Sequence, residues 1–177
     1  LVSLHRMEGL SLLAEGRNFE AEQLCQDWRE ADPIMQGVLR ALALARSSRP
    51  DELKAEVEKL EQQKLSPLNR FVCGSLRFHL DWLGGQPGDV AQRFRSNLEE
   101  LKTYRSDREY TTGEPWLLEQ GLKLWEGPML TLMHTENQDA EAKNRLIEAY
   151  FEGQARLHDL AQQNLSLKTL NPEFSFM

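Results

Sequence analysis

Apolar residues recur along most of the chain at i, i+3, i+4 and i+7, the spacing of a helix with one buried face. No stretch alternates β-branched and polar residues, so strands are not expected. The spacing predicts a first helix over about 2–15. A second follows with Phe19, Ala21, Leu24, Cys25, Trp28 and Ala31 facing inward. The third buries Met35, Val38, Leu39, Leu42 and Ala45. A fourth carries a thin stripe of Leu53, Val57 and Leu60. The fifth places Leu68, Phe71, Val72, Leu76, His79, Trp82 and Leu83 on one side. The sixth, over about 89–104, buries Val90, Ala91, Phe94, Leu98 and Leu101. A short helix from Pro115 to Trp125 and a long one over about 138–163 complete the set, the latter with Leu146, Ile147, Tyr150, Phe151, Leu157 and Ala161 inward.

Helix-end chemistry sharpens these limits. Asn18 is placed to cap the second helix, and Asp32-Pro33 gives the third a side-chain cap and a proline at the first helical position. Ser48 with Asp51 reads as a capping box for the fourth. Ser66-Pro67 opens the fifth, Gly84-Gly85 ends it, and Gly127-Pro128 is expected to end the seventh. The polar stretches 106–113 and 135–137 read as loops. The tail 164–177 has no clear period and ends on Phe174, Phe176 and Met177.

A period of 34 residues runs through the first part. Pro33 and Pro67 both open helices, and Gly16, Pro50 and Gly84 mark turns at the same interval. Gly9 with Ala43, Ala21 with Ala55, and Arg6 with Arg40 share a phase. Two antiparallel helices and two turns fill such a unit, and small residues at fixed points let the helices approach closely. The run Gly9, Leu12, Gly16, Ala21, Cys25, Asp32-Pro33 resembles the tetratricopeptide repeat family. Phe19 lies one place later than the family aromatic, and Trp28 stands where a small residue is usual. The second unit lacks the turn glycine, and Asp89 stands where the third should have alanine. The resemblance implies an all-α fold of stacked helix pairs forming a right-handed superhelix, with three degenerate repeats over 1–104. A further pair, a capping helix and the apolar tail would occupy 105–177.

Charge narrows the partners. The 177 residues carry a formal net charge of −7, with 40% hydrophobic and 28% charged residues. Nucleic-acid binding draws most of its affinity from phosphate neutralisation, and no basic cluster is present to supply it. No run of about 18 apolar residues exists, so no membrane insertion is expected. Cys25 and Cys73 sit in apolar helical patterns and read as buried thiols of a reducing, cytoplasmic compartment. The sequence starts inside a helical pattern and reads as a piece of a longer protein.

No nucleophile elbow, phosphate-binding loop or paired-histidine metal motif occurs, so neither an enzyme nor a cofactor is expected. The resemblance implies a protein-binding role for the first helix of each pair, whose groove-facing positions include Arg6, Leu10, Arg40, Leu44, Phe71, Phe78 and Trp82. Arginines can grip a carboxylate and aromatics can anchor a peptide. The expected function is a scaffold, adaptor or assembly module that binds another protein or peptide, or self-associates. Two alternatives stand beside it: a sensor domain of a larger protein, and an all-α enzyme built around His79.

Overall fold

A computed structural model describes residues 2–28, 32–104, 114–136 and 139–170 of the chain. Among them the only regular elements are eight helices: α1 (Val2–Ala14), α2 (Asn18–Asp27), α3 (Pro33–Arg46), α4 (Pro50–Glu61), α5 (Pro67–Leu83), α6 (Val90–Glu99), α7 (Glu114–Met133) and α8 (Ala140–Leu170). The fold is the expected all-α stack. α1, α3, α5 and α7 each pack on the next of this series. α2 and α4 bridge consecutive members, whereas α6 and α8 also pack on each other.

Local chemistry sets most helix ends. The carboxylate of Asp32 accepts from Ile34 N–H at 3.0 Å, Ser66 Oγ from Asn69 N–H at 3.3 Å, and Asp89 from Gln92 N–H at 3.1 Å. Asp139 caps α8 in the same way, accepting from Ala142 N–H at 2.7 Å. Each satisfies an amide that has no partner in the first helical turn. Asn18 does not cap α2. It is already helical, and Arg17 precedes it without a side-chain cap.

The turns inside the first three pairs share one closure. Arg17 N–H donates to Leu12 O, Arg49 N–H to Leu44 O, and Gln86 N–H to Asp81 O. Each is the six-to-one bond of a Schellman motif, which needs a left-handed residue just before the donor. Those residues are Gly16 (φ 76°), Ser48 (φ 53°) and Gly85 (φ 73°). Ser48 therefore terminates α3 and does not begin a capping box for α4; Arg49 holds the N-cap place without a side-chain capping bond. The missing turn glycine of the second unit is this serine, so the equivalent turns fall at 16, 48 and 85.

Two later elements depart from expectation. Helix α7 runs straight through Gly127-Pro128 to Met133. Proline removes one helical hydrogen bond and crowds the preceding turn, at about 3 kcal/mol. Trp125 and Met129, 2% and 0% exposed on either side, offset that by keeping the helix on the core. Helix α8 extends to Leu170, and Phe174, Phe176 and Met177 lie outside the described residues, as do the expected loop residues 106–113.

Small residues sit where helices cross. A Cβ on Gly9 would meet Leu39 at 3.0 Å, on Gly121 Phe71 at 2.6 Å, and on Gly153 Phe94 at 2.5 Å. These join α1 to α3, α7 to α5 and α8 to α6. The core runs unbroken from Leu10 to Leu160.

Candidate functional site

The positions expected to line a groove divide into two groups. Leu44, Phe71 and Phe78 are 0% exposed and Leu10 is 8% exposed. They are core, not a docking surface. For Phe71 and Phe78 the cause is α7, which lies along α5: Gly121 admits the Phe71 ring, and Trp125 stacks on Phe78 with centroids 3.8 Å apart. Trp82 is half-buried, 6.4 Å from Phe78.

Below these rings lies a buried polar hub. Ser75 Oγ donates to Phe71 O at 2.8 Å and accepts from Trp125 Nε1 at 2.9 Å and Asn97 Nδ2 at 3.0 Å. Helices α5, α6 and α7 are thereby tied together at one hydroxyl. Every donor aimed at it is satisfied, which is the condition for a polar group to be stable in a core.

Arg40 does not stand free as the expected peptide grip. Arg6 is half-buried on α1. Arg40 Nη1 donates to Glu56 at 2.9 Å, and its Nε lies 3.8 Å from Glu22. Both glutamates are buried, at 8% and 4% exposure. Arg49 also pairs with Glu22, and Lys59 reaches Glu56 at 3.6 Å. The network joins α2, α3 and α4, and it engages Arg40 internally. Beside it, a cleft of about 240 Å³ opens between α2 and α4, with Gln36, Arg40 and Glu56 in its walls. Gln36 Nε2 donates to Cys25 O across the α2–α3 boundary.

Arg46, at the end of α3, donates to Leu13 O of α1 and to Gln120 of α7, and lies 5.6 Å from the Trp116 ring centroid. It links the first and fourth helix pairs through one side chain.

The groups considered for chemistry are quiet. Burial holds the His79 imidazole below its ordinary pKa. Burial also pushes the Cys25 thiol up to about 12 and the Cys73 thiol to about 11. Neither is a thiolate at neutral pH, so neither has the form a nucleophile needs. Both are free and buried. Among the described residues no group of three or more His, Cys, Asp and Glu is arranged to hold a metal, and no helix is long and apolar enough to cross a membrane.

The exposed apolar residues were the least legible feature. Large ones among the described residues are Leu4, Met7 and Phe19 on α1–α2, Leu83 on α5, and Leu130, Ile147 and Phe151 on α7–α8. Phe19, Ile147 and Phe151 were expected to face inward. Each instead faces solvent, Phe19 at 70% and Phe151 at 64% exposure.

A second groove, of about 510 Å³, runs between α1 and α2 on their outer side. Leu12 and Leu24 contribute its apolar part. Glu8, Glu15, Glu20 and Asp27 provide carboxylates, and Arg17 pairs with Glu15 at 3.1 Å and with Glu20.

No family model matches the chain, and no curated protein or solved structure matches it either.

Proposed function

We propose that this chain is a protein-interaction module that binds partners on the two ends of its helical stack. One observation carries the reading: six of the seven large exposed apolar side chains among the described residues lie on the first and last helix pairs. In stacked-helix proteins an apolar outer face needs another surface to cover it. Exposed apolar clusters on a folded chain otherwise mark association sites. The resemblance of the first unit to tetratricopeptide repeats agrees with a scaffold, adaptor or assembly role, although the binding face differs from the family's groove.

The test is affinity capture from native lysate with two variants. Leu4→Ser/Phe19→Ser alters the first pair, and Ile147→Ser/Phe151→Ser the last. These side chains are exposed, so circular dichroism and melting temperature should stay near wild type. Loss of a captured protein with either variant supports the reading. Identical capture by all three forms, or none by any of them from a monomeric chain, contradicts it.

A further inference from the structure

We infer that the outer face of α1–α2 is a docking site for a basic amphipathic helix of a partner protein. This rests on the interaction-module reading and names one partner class for one end of the stack.

Helix periodicity places Leu4, Met7, Glu8, Ser11 and Glu15 on one side of α1, and Glu20, Gln23 and Asp27 on one side of α2, with Phe19 beside Gln23. Of these, Glu8, Ser11, Glu15, Glu20, Gln23 and Asp27 line the groove, and Leu4, Met7 and Phe19 lie outside its lining. Helices α1 and α2 pack on each other and on α3, and no other described helix covers this side. Leu4 and Met7 stand exposed on α1, and Phe19 on α2. From Leu4 to Glu15 the helix rises about 17 Å, room for about three turns of a partner helix. An apolar stripe laid into such a groove is the helix-in-groove mode of recognition.

Charge chooses the occupant. Among the described residues four carboxylates line the groove against one cation, Arg17, which is already engaged by Glu15 and Glu20. Glu8 and Asp27 are left to meet a ligand's lysines or arginines. A second copy docking by the same face would set these carboxylates against each other, which costs affinity. The chain's net charge of −7 adds to that repulsion and favours a cationic partner.

The experiment is fluorescence anisotropy with a labelled leucine/lysine amphipathic helix of eighteen residues, a leucine/glutamate helix of equal length, and a scrambled leucine/lysine sequence. Glu8→Lys/Asp27→Lys reverses two groove charges. Asp51→Lys/Glu58→Lys makes the same net change on α4. The inference expects the basic helix to bind best. It expects about tenfold weaker binding by the groove variant and less than about twofold change by the α4 variant. Leu4→Ser/Phe19→Ser should also weaken binding while the melting temperature holds.

Equal losses in both charge variants would mean attraction to net charge alone and would overturn the site. So would equal binding of the scrambled sequence, or no binding. Dimerisation by sedimentation that Leu4→Ser/Phe19→Ser abolishes would make the occupant a second copy and would also overturn it. If peptide binding fails while lysate partners are still captured and lost with Ile147→Ser/Phe151→Ser, the module reading stands without this site.

Discussion

The first four helices and the last four are held together by different physics. Between α2, α3 and α4 the distinctive tie is ionic: Arg40 reaches two buried glutamates, and Arg49 and Lys59 share them. Around it the core is small and aliphatic, with Ala21, Val38, Leu39, Ala41 and Ala43 closely packed. Between α5 and α8 the tie is aromatic: Phe78 and Phe94 flank Trp125, and Phe71 sits over Gly121. One hydroxyl, Ser75, accepts from both Asn97 and Trp125 in that core. The first arrangement fixes which helix lies where through charge pairing. The second does so by shape. The first half should therefore be sensitive to losing one partner, and the second to losing volume.

The largest effect should come from Trp125→Ala. It removes the ring that stacks on Phe78 and leaves a cavity among α5, α6 and α7, so urea unfolding should show a loss of about 3–5 kcal/mol. A loss below about 1 kcal/mol would mean the aromatic cluster is not what holds the second half.

Glu56→Ala should cost less, about 2 kcal/mol, because it leaves the half-buried Arg40 guanidinium with Glu22 alone, 3.8 Å away. The double variant with Trp125→Ala should be additive within about 0.5 kcal/mol, since the two sites share no partner. Strong coupling would show that the halves are one energetic unit.

Each half carries one thiol, and alkaline pH should weaken both. In the unfolded chain each thiol ionises near its ordinary value of 9.0, while the folded ones stay protonated to about 12 and 11. Raising the pH then releases protons from the unfolded state first, so stability falls from about pH 9 upward. Cys25→Ala/Cys73→Ala should flatten that fall in urea titrations at pH 8 to 10.5.

The smallest effect is a gain. Ser48 holds φ 53° in the turn that Gly16 and Gly85 make with glycine. Ser48→Gly should raise stability by about 0.5–1 kcal/mol, because the left-handed strain exceeds the entropy glycine loses.

Helix existence and several N-termini were legible because caps are local: Asp32 and Ser66 each act on an amide two or three residues away. Ser48 was misread because a serine before an acid signals a helix start, while its backbone conformation depends on how α3 ends. Pro128 was misread because local propensity disfavours it inside a helix and only the burial of its neighbours outweighs that. Phe19 and Phe151 mark the deeper limit. An amphipathic pattern assigns residues to a face, but which faces are covered depends on which pairs have neighbours. The same limit hid the burial of Phe71 and Phe78, since nothing local shows that α7 packs along α5.

Hydrogen–deuterium exchange of the chain, with and without the basic amphipathic helix, tests the central claim most directly. The account predicts slower exchange confined to Val2–Asp27, with α5 and α7 unchanged. Protection on α3, α5 and α7 without change in α1 and α2 would contradict it, and would place binding on those helices instead.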